Sequence, residues 1–230
     1  MKPVLELEHV GVAYRRGRNP RSGEQYWALR DVSLELHHGE TLGVVGRNGV
    51  GKTSLLKVIA GIIDPDRGRI HNAGVTASLL SLQVGFVPLL TGRENAILSG
   101  MLLGAPRSRL EQNMDEMIAF AELEDFIDEP VASYSAGMRA RLGFSVAMQA
   151  DPDVLLIDEV LGVGDTAFRR KSSEEIRRRI RSNRSVILVS HNIGMMRGLC
   201  DRVVWIEKGV STMQGDAQEV LDAYEADTAA

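Results

Sequence analysis

Three short, uninterrupted apolar runs punctuate the chain at Leu42–Val45, Val154–Ile157 and Val186–Val189. Runs this short, without polar alternation, are typical of strands covered on both faces and predict members of a parallel sheet. Two longer stretches, Val4–Tyr14 and Trp27–Leu36, alternate apolar and polar positions as half-buried strands do. Helical periodicity predicts helices over Lys52–Ala60, Arg107–Ala121, Ser135–Gln149 and Thr166–Arg181. Gly61 and Pro65 close the first of these, and Pro130 with Ser133 separates a helical insert from the helix that follows. Arg15–Tyr26 is polar and contains Gly and Pro, so it predicts a loop between two strands. On the helix over Thr166–Arg181, Phe168, Ile176 and Ile180 share one side, and the intervening arginines form a solvated face. Strand and helix alternate around an insert, which predicts an α/β fold.

With 230 residues, 44% of them hydrophobic, the chain can bury a full core. A net charge of -4 lacks the basic excess of a dedicated nucleic-acid binder, so no nucleic-acid partner is expected. The single cysteine, Cys200, cannot form an internal disulfide and reads as a small buried hydrophobe. No signal-peptide pattern opens the chain, which points to the cytosol. The longest apolar stretch, Ala77–Leu90, is interrupted by Ser78, Ser81 and Gln83 and falls short of the roughly 18 apolar residues of a spanning helix. If the protein serves a membrane, another chain must cross it. His9, His37, His38 and His71 show no metal-ligand spacing.

Two motifs add chemistry. Gly46-Arg47-Asn48-Gly49-Val50-Gly51-Lys52-Thr53 follows a buried strand and opens a helix. Glycines in that setting let successive backbone N–H groups turn toward phosphates, and the helix N-terminus favours negative charge. Lys52 is placed for the β- and γ-phosphates of ATP and Thr53 for Mg²⁺. The second motif, Val154–Glu159, is an apolar strand that delivers Asp158 and Glu159 at its C-terminal end, where ligands of open parallel sheets bind. Asp158 would meet Mg²⁺ and Glu159 an attacking water, which implies hydrolysis rather than binding alone. Between them, Tyr134-Ser135-Ala136-Gly137-Met138 offers an N-cap serine and a small-residue turn at a helix start, a second place for an anion.

The order of these motifs resembles that of ABC ATPases, from about Leu5 to Asp216, and Ser135-Ala136-Gly137 resembles the family's signature turn. The resemblance implies a P-loop ABC-ATPase core with a mostly parallel sheet, an N-terminal antiparallel β part and a helical subdomain over about 93–150. All of it would lie in one nucleotide-binding domain spanning 1–230. By the same resemblance Tyr14 matches the adenine-stacking aromatic, with Tyr26 and Trp27 as competing candidates. Gln83 matches the glutamine-loop residue near nucleotide and metal, with a polar surface turn as the equal alternative. Asp165 matches the aspartate that crosses a dimer interface, and His191 the histidine that contacts the γ-phosphate. Ser135 and Gly137 would complete the site of a second copy, so a homodimer is implied.

Ala136 and Met138 depart from the usual signature. The Tyr-Ser-x-Gly-Met-Arg form, Gly85–Asn95 and Ile157–Asp165 look like the ATPase subunits of bacterial polysaccharide, O-antigen and teichoic-acid exporters. That implies a peripheral place on the cytoplasmic face of the cell membrane and a transmembrane permease subunit that docks near Phe86 and the insert over Arg93–Phe126. The permease would be the chain that mainly handles the glycan. An importer ATPase is the nearer alternative and a soluble ABC ATPase the more distant one. Because the chain ends soon after Tyr224, the additional C-terminal carbohydrate-binding domain of some relatives is not expected.

Overall fold

The computed structural model describes residues 2–15, 25–80, 85–158, 165–182 and 184–228. They fall into two compact units. One is Met1–Leu79 with Asp153–Glu159 and Arg179–Ala230; the other is Leu80–Pro152 with Val160–Arg178.

The first unit is built on strands β1 (Leu5–Arg15), β2 (Gln25–Leu36), β3 (Thr41–Val45), β4 (Arg67–Asn72), β5 (Ala77–Leu79), β6 (Val154–Asp158), β7 (Ser185–Val189), β8 (Arg202–Glu207) and β9 (Val210–Asp216). They join in one sheet of order β4-β1-β2-β9-β8-β3-β7-β6-β5. From β8 to β5 the neighbours run parallel, whereas β4-β1-β2 is antiparallel. The three apolar runs of the sequence are β3, β6 and β7. β3 and β7 are buried at every position, and β6 at every position but Asp158.

Helix α1 (Lys52–Ile59) lays Leu55, Leu56 and Ile59 into the same core as Leu42, Val44, Leu156 and Ile187. Each such side chain contributes about 1.5–3 kcal/mol on burial, so truncating one, as in Leu156→Ala, would cost about 2–5 kcal/mol. A smaller cluster joins Val45 to Met196 of α7 (Ile193–Leu199), Val203 of β8, and Val220 and Leu221 of α8 (Ala217–Thr228). Trp205 and Tyr224 meet edge to face at 5.6 Å there, and Arg197 donates to Asp222 (2.5 Å) and Glu225 (2.6 Å). Burial raises the Cys200 thiol to about 12, so at neutral pH it is a packed thiol and not a nucleophile.

The second unit is helical: α2 (Gly92–Leu102), α3 (Arg107–Gln112), α4 (Met114–Ala121), α5 (Ala136–Ala147) and α6 (Thr166–Ile180), the last counted here as far as Arg178. Its core draws Leu110, Met117, Ile118, Ile127, Tyr134, Leu142 and Val146 together. Thr91 starts α2 with a reciprocal cap: its hydroxyl accepts from Glu94 N (3.2 Å), and the Glu94 carboxylate accepts from Thr91 N (2.9 Å). Fully buried Asn95 ties down the preceding turn, accepting from Val87 N and donating to the carbonyls of Val87, Leu90 and Thr91. The helix expected over Arg107–Ala121 is two helices. Asn113 (φ -97, ψ 10) breaks it, and its amide donates to Gln149 Oε1 at 2.8 Å. Asn has weak helix propensity, and a tertiary partner outweighs what remains of it. Phe120, Phe144 and Phe168 form a ring cluster with centroids 5.7–5.8 Å apart.

Candidate nucleotide site

The site begins where β3 ends. Val44 of β3 and Asp158 of β6 both pair with Val189 of β7, so all three stand in one row at the carboxyl edge of the sheet. Two strand spacings, roughly 10 Å, separate the outer pair. The Gly46–Thr53 loop closes that gap, because the Thr53 hydroxyl donates to Asp158 Oδ2 at 2.8 Å. The two motifs, more than a hundred positions apart in sequence, thus meet in space. His191 follows β7, the strand between them, and is exposed; Asn192 next to it caps α7 by accepting from Met195 N (2.9 Å).

Gly51 is the N-cap of α1, with φ +102 and no side chain to cap the helix, so the positive end of α1 faces the loop. A Cβ at Gly51 would stand 2.3 Å from Ala28 O, which makes glycine a requirement of close approach as well as of conformation. Lys52 is buried and lies back across the loop, donating to Gly46 O (2.7 Å) and Arg47 O (3.0 Å). Arg47 itself is exposed and stands 3.8 Å from Asp227 of α8. The loop therefore presents a helix terminus and two cations beside one half-buried carboxylate.

Tyr14 and Tyr26 are cross-strand partners in the β1–β2 register and project from the same face. The Tyr14 hydroxyl lies 3.1 Å from Ser54 Oγ in α1, and the Tyr26 hydroxyl donates to Gly49 O at 2.9 Å. Trp27, one residue on, belongs to the opposite face by strand alternation, and the Arg67 guanidinium sits 4.2 Å above its ring. The structure brings Tyr26 to the phosphate loop and Tyr14 to the first turn of the helix that follows it, and gives Trp27 another partner. Neither the Tyr26 contact nor that of Ser54 was read from the sequence. The signal was there in the β1–β2 hairpin register, which sets Tyr26 opposite Tyr14.

Ser135, Gly137 and Asp165 belong to the helical unit. Ser135 caps α5, its Oγ accepting from Met138 N at 3.1 Å, and a Cβ at Gly137 would lie 3.7 Å from that same Oγ. Asp165 opens α6: Oδ1 accepts from Phe168 N (2.9 Å) and Ala167 N (3.0 Å). The Phe168 N–H above all, then that of Ala167 and the charge of Arg141, outweigh desolvation and hold this carboxyl below the ordinary Asp range. Glu159 and Gln83 lie outside the described residues. Among the described residues no cluster of three or more His, Cys, Asp or Glu could hold a metal on its own. Thr53 with Asp158 nevertheless suits Mg²⁺, which takes oxygen ligands and is held by one or two carboxylates together with substrate phosphates.

Residues 29–162 match the family model described as ABC transporter. The chain belongs to the ABC transporter family. Within that family it is an ATPase subunit. This ABC ATPase is 41% identical to the O-antigen export system ATP-binding protein RfbB of Klebsiella pneumoniae, a match covering 97% of this chain and 98% of that one. It is 42% identical to the ABC transporter protein AbcA of Aeromonas salmonicida, over 97% of this chain and 76% of that one. With the teichoic acids export ATP-binding protein TagH of Listeria monocytogenes it shares 40% identity over 88% of this chain and 60% of the relative. Its fold is that of a solved ATP-binding cassette, a dimer in a post-hydrolysis state bound to ADP and Pi. The TM-score is 0.72 at 22% identity, with 93% of this chain and 98% of that chain covered. No helix among the described residues is long and apolar enough to cross a membrane.

Proposed function

We propose that this ABC ATPase powers export of a lipid-linked polysaccharide, of the O-antigen or teichoic-acid class, through a separate membrane subunit. The hydrogen bond from Thr53 to Asp158 at the mouth of the phosphate loop carries the ATPase half of the reading. Identity to named exporter subunits over almost the whole chain supports the export half. Lys52 and the N–H groups at the start of α1 bind the ATP phosphates, and Tyr14 stacks on adenine. Thr53 and Asp158, with Gln83 nearby, hold Mg²⁺, which when bound neutralises charge on the β- and γ-phosphate oxygens. Glu159, next after Asp158, orients the attacking water, and His191 contacts the γ-phosphate.

The phosphate loop meets ATP from one side only, so a second copy supplies Ser135 and Gly137 to the other, with Asp165 at the interface of the homodimer. ATP then favours the closed pair and hydrolysis releases it. The whole of 1–230 serves as one nucleotide-binding domain, its helical part over about 93–150, and works at the cytoplasmic face of the cell membrane. Replacing the chromosomal copy with Glu159→Gln tests this. Glycan should disappear from the cell surface while its lipid-linked form accumulates inside, and the purified variant should bind ATP as a stable dimer without turning it over. Normal surface glycan would refute the export reading; normal hydrolysis would refute the role of Glu159.

A further inference from the structure

Tyr14 and Tyr26 leave the sheet side by side, but their hydroxyls end on different targets: Ser54 in α1 for Tyr14, and the carbonyl of Gly49 at the crest of the phosphate loop for Tyr26. Nothing in the phosphate-loop spacing demands that second contact. Gly49 has φ +82 and nothing within 4 Å of where a Cβ would be, so no side chain packed against that position restrains its backbone. The peptide between Gly49 and Val50 is trans, and in a planar trans peptide the C=O and the following N–H point in opposite directions. A hydroxyl that fixes Gly49 O therefore fixes Val50 N–H as well, aimed away from Tyr26. If this exposed peptide turned over, it would offer a carbonyl oxygen to the phosphates in place of a donor.

We propose that Tyr26 is a positioning residue of the phosphate loop: by donating to Gly49 O it keeps Val50 N–H turned toward the bound phosphates. This rests on the nucleotide reading above and leaves the stacking of adenine to Tyr14. The role belongs to the hydroxyl, so Tyr26→Phe removes it and keeps the ring. A net hydrogen bond of about 0.5–1.5 kcal/mol corresponds to about a two- to tenfold change in affinity.

The experiment displaces a fluorescent ATP analogue from the full chain with two competitors, tripolyphosphate and adenosine. Tyr26→Phe should weaken tripolyphosphate about two- to tenfold and leave adenosine unchanged, and the Val50 amide should exchange faster with solvent deuterium. Unchanged tripolyphosphate competition would overturn the proposal. A loss for adenosine would also overturn it, since the side chain would then serve the base. Lys52→Ala is the control that separates the two readings. If it too leaves tripolyphosphate unaffected, the phosphate-loop assignment itself fails; if it weakens tripolyphosphate while Tyr26→Phe does not, only the role of Tyr26 falls.

Discussion

Gly49 and Gly51 stand two residues apart in one loop, both with positive φ, and alanine at the two positions should behave differently. At Gly49 (φ +82) an added Cβ meets nothing within 4 Å. Its cost is then the left-handed backbone alone, about 1.5 kcal/mol. At Gly51 (φ +102) the same methyl would lie 2.3 Å from Ala28 O, 3.0 Å from Ala28 C and 2.6 Å from Leu29 Cδ2. Two of those atoms are backbone of β2, which the sheet holds on both sides through β1 and β9, so no rotamer change relieves the overlap. Overpacking of this kind adds about 2 kcal/mol to the same conformational cost. For a chain of this size 1 kcal/mol shifts the melting midpoint by about 2–4 °C, so Gly51→Ala should melt about 4–8 °C below Gly49→Ala. A thermal melt without nucleotide reads this directly. Equal midpoints, or a lower one for Gly49→Ala, would refute the claim that β2 backbone limits the approach of the loop.

Three further outcomes are expected. Thr53→Ala should abolish Mg²⁺-dependent ATP turnover while nucleotide still binds through Lys52; retained turnover in a steady-state assay would remove Thr53 from the metal site. Gly137→Asp should bind ATP yet neither dimerise nor hydrolyse, and mixing it with Lys52→Ala should restore some activity, since both lesions then fall on one composite site. No recovery in tag-purified heterodimers would count against a signature that acts across the dimer. Asp165 is held below its ordinary range, so its capping of α6 is fully present above the unfolded value of about 3.9 and fades as pH falls through the lower folded value. Asp165→Asn should flatten that acid limb of the melting curve, and an identical acid limb would show that the carboxylate does not matter to α6.

What the sequence made legible was whatever is written in contiguous residues. β3, β6 and β7 are apolar at nearly every position because both faces are covered, and the phosphate loop is a single eight-residue phrase. β4, β5, β8, β9, α2, α7 and α8 were not read as elements. β4, Arg-Gly-Arg-Ile-His-Asn, buries almost nothing of its own and is a strand because β1 pairs with it. β9 is largely polar and takes its place from the turn at Lys208 and Gly209, both with positive φ, which folds it back on β8. At the site, Lys52, Thr53 and Asp158 were visible because spacing encodes them. Which of Tyr14, Tyr26 and Trp27 face the loop was not, since it depends on the face of the β1–β2 ladder each occupies and on Arg67 reaching Trp27 from β4.

The strand that feeds the phosphate loop has both its partners late in the chain: β3 lies between β7 and β8, and Val45 is covered by Val220 and Leu221 of α8. At about 5–20 residues per second, a ribosome that has made β3 needs about 10–30 s to deliver β8. During that interval Leu42 and Val44 have no sheet to enter, while the helical core around Leu110, Met117 and Leu142 uses only residues made in between. The nascent protein can therefore settle the part that carries Ser135 well before it owns a phosphate site. Its hazard during synthesis is the exposed β3 edge, which stays unpaired until β7 and β8 emerge.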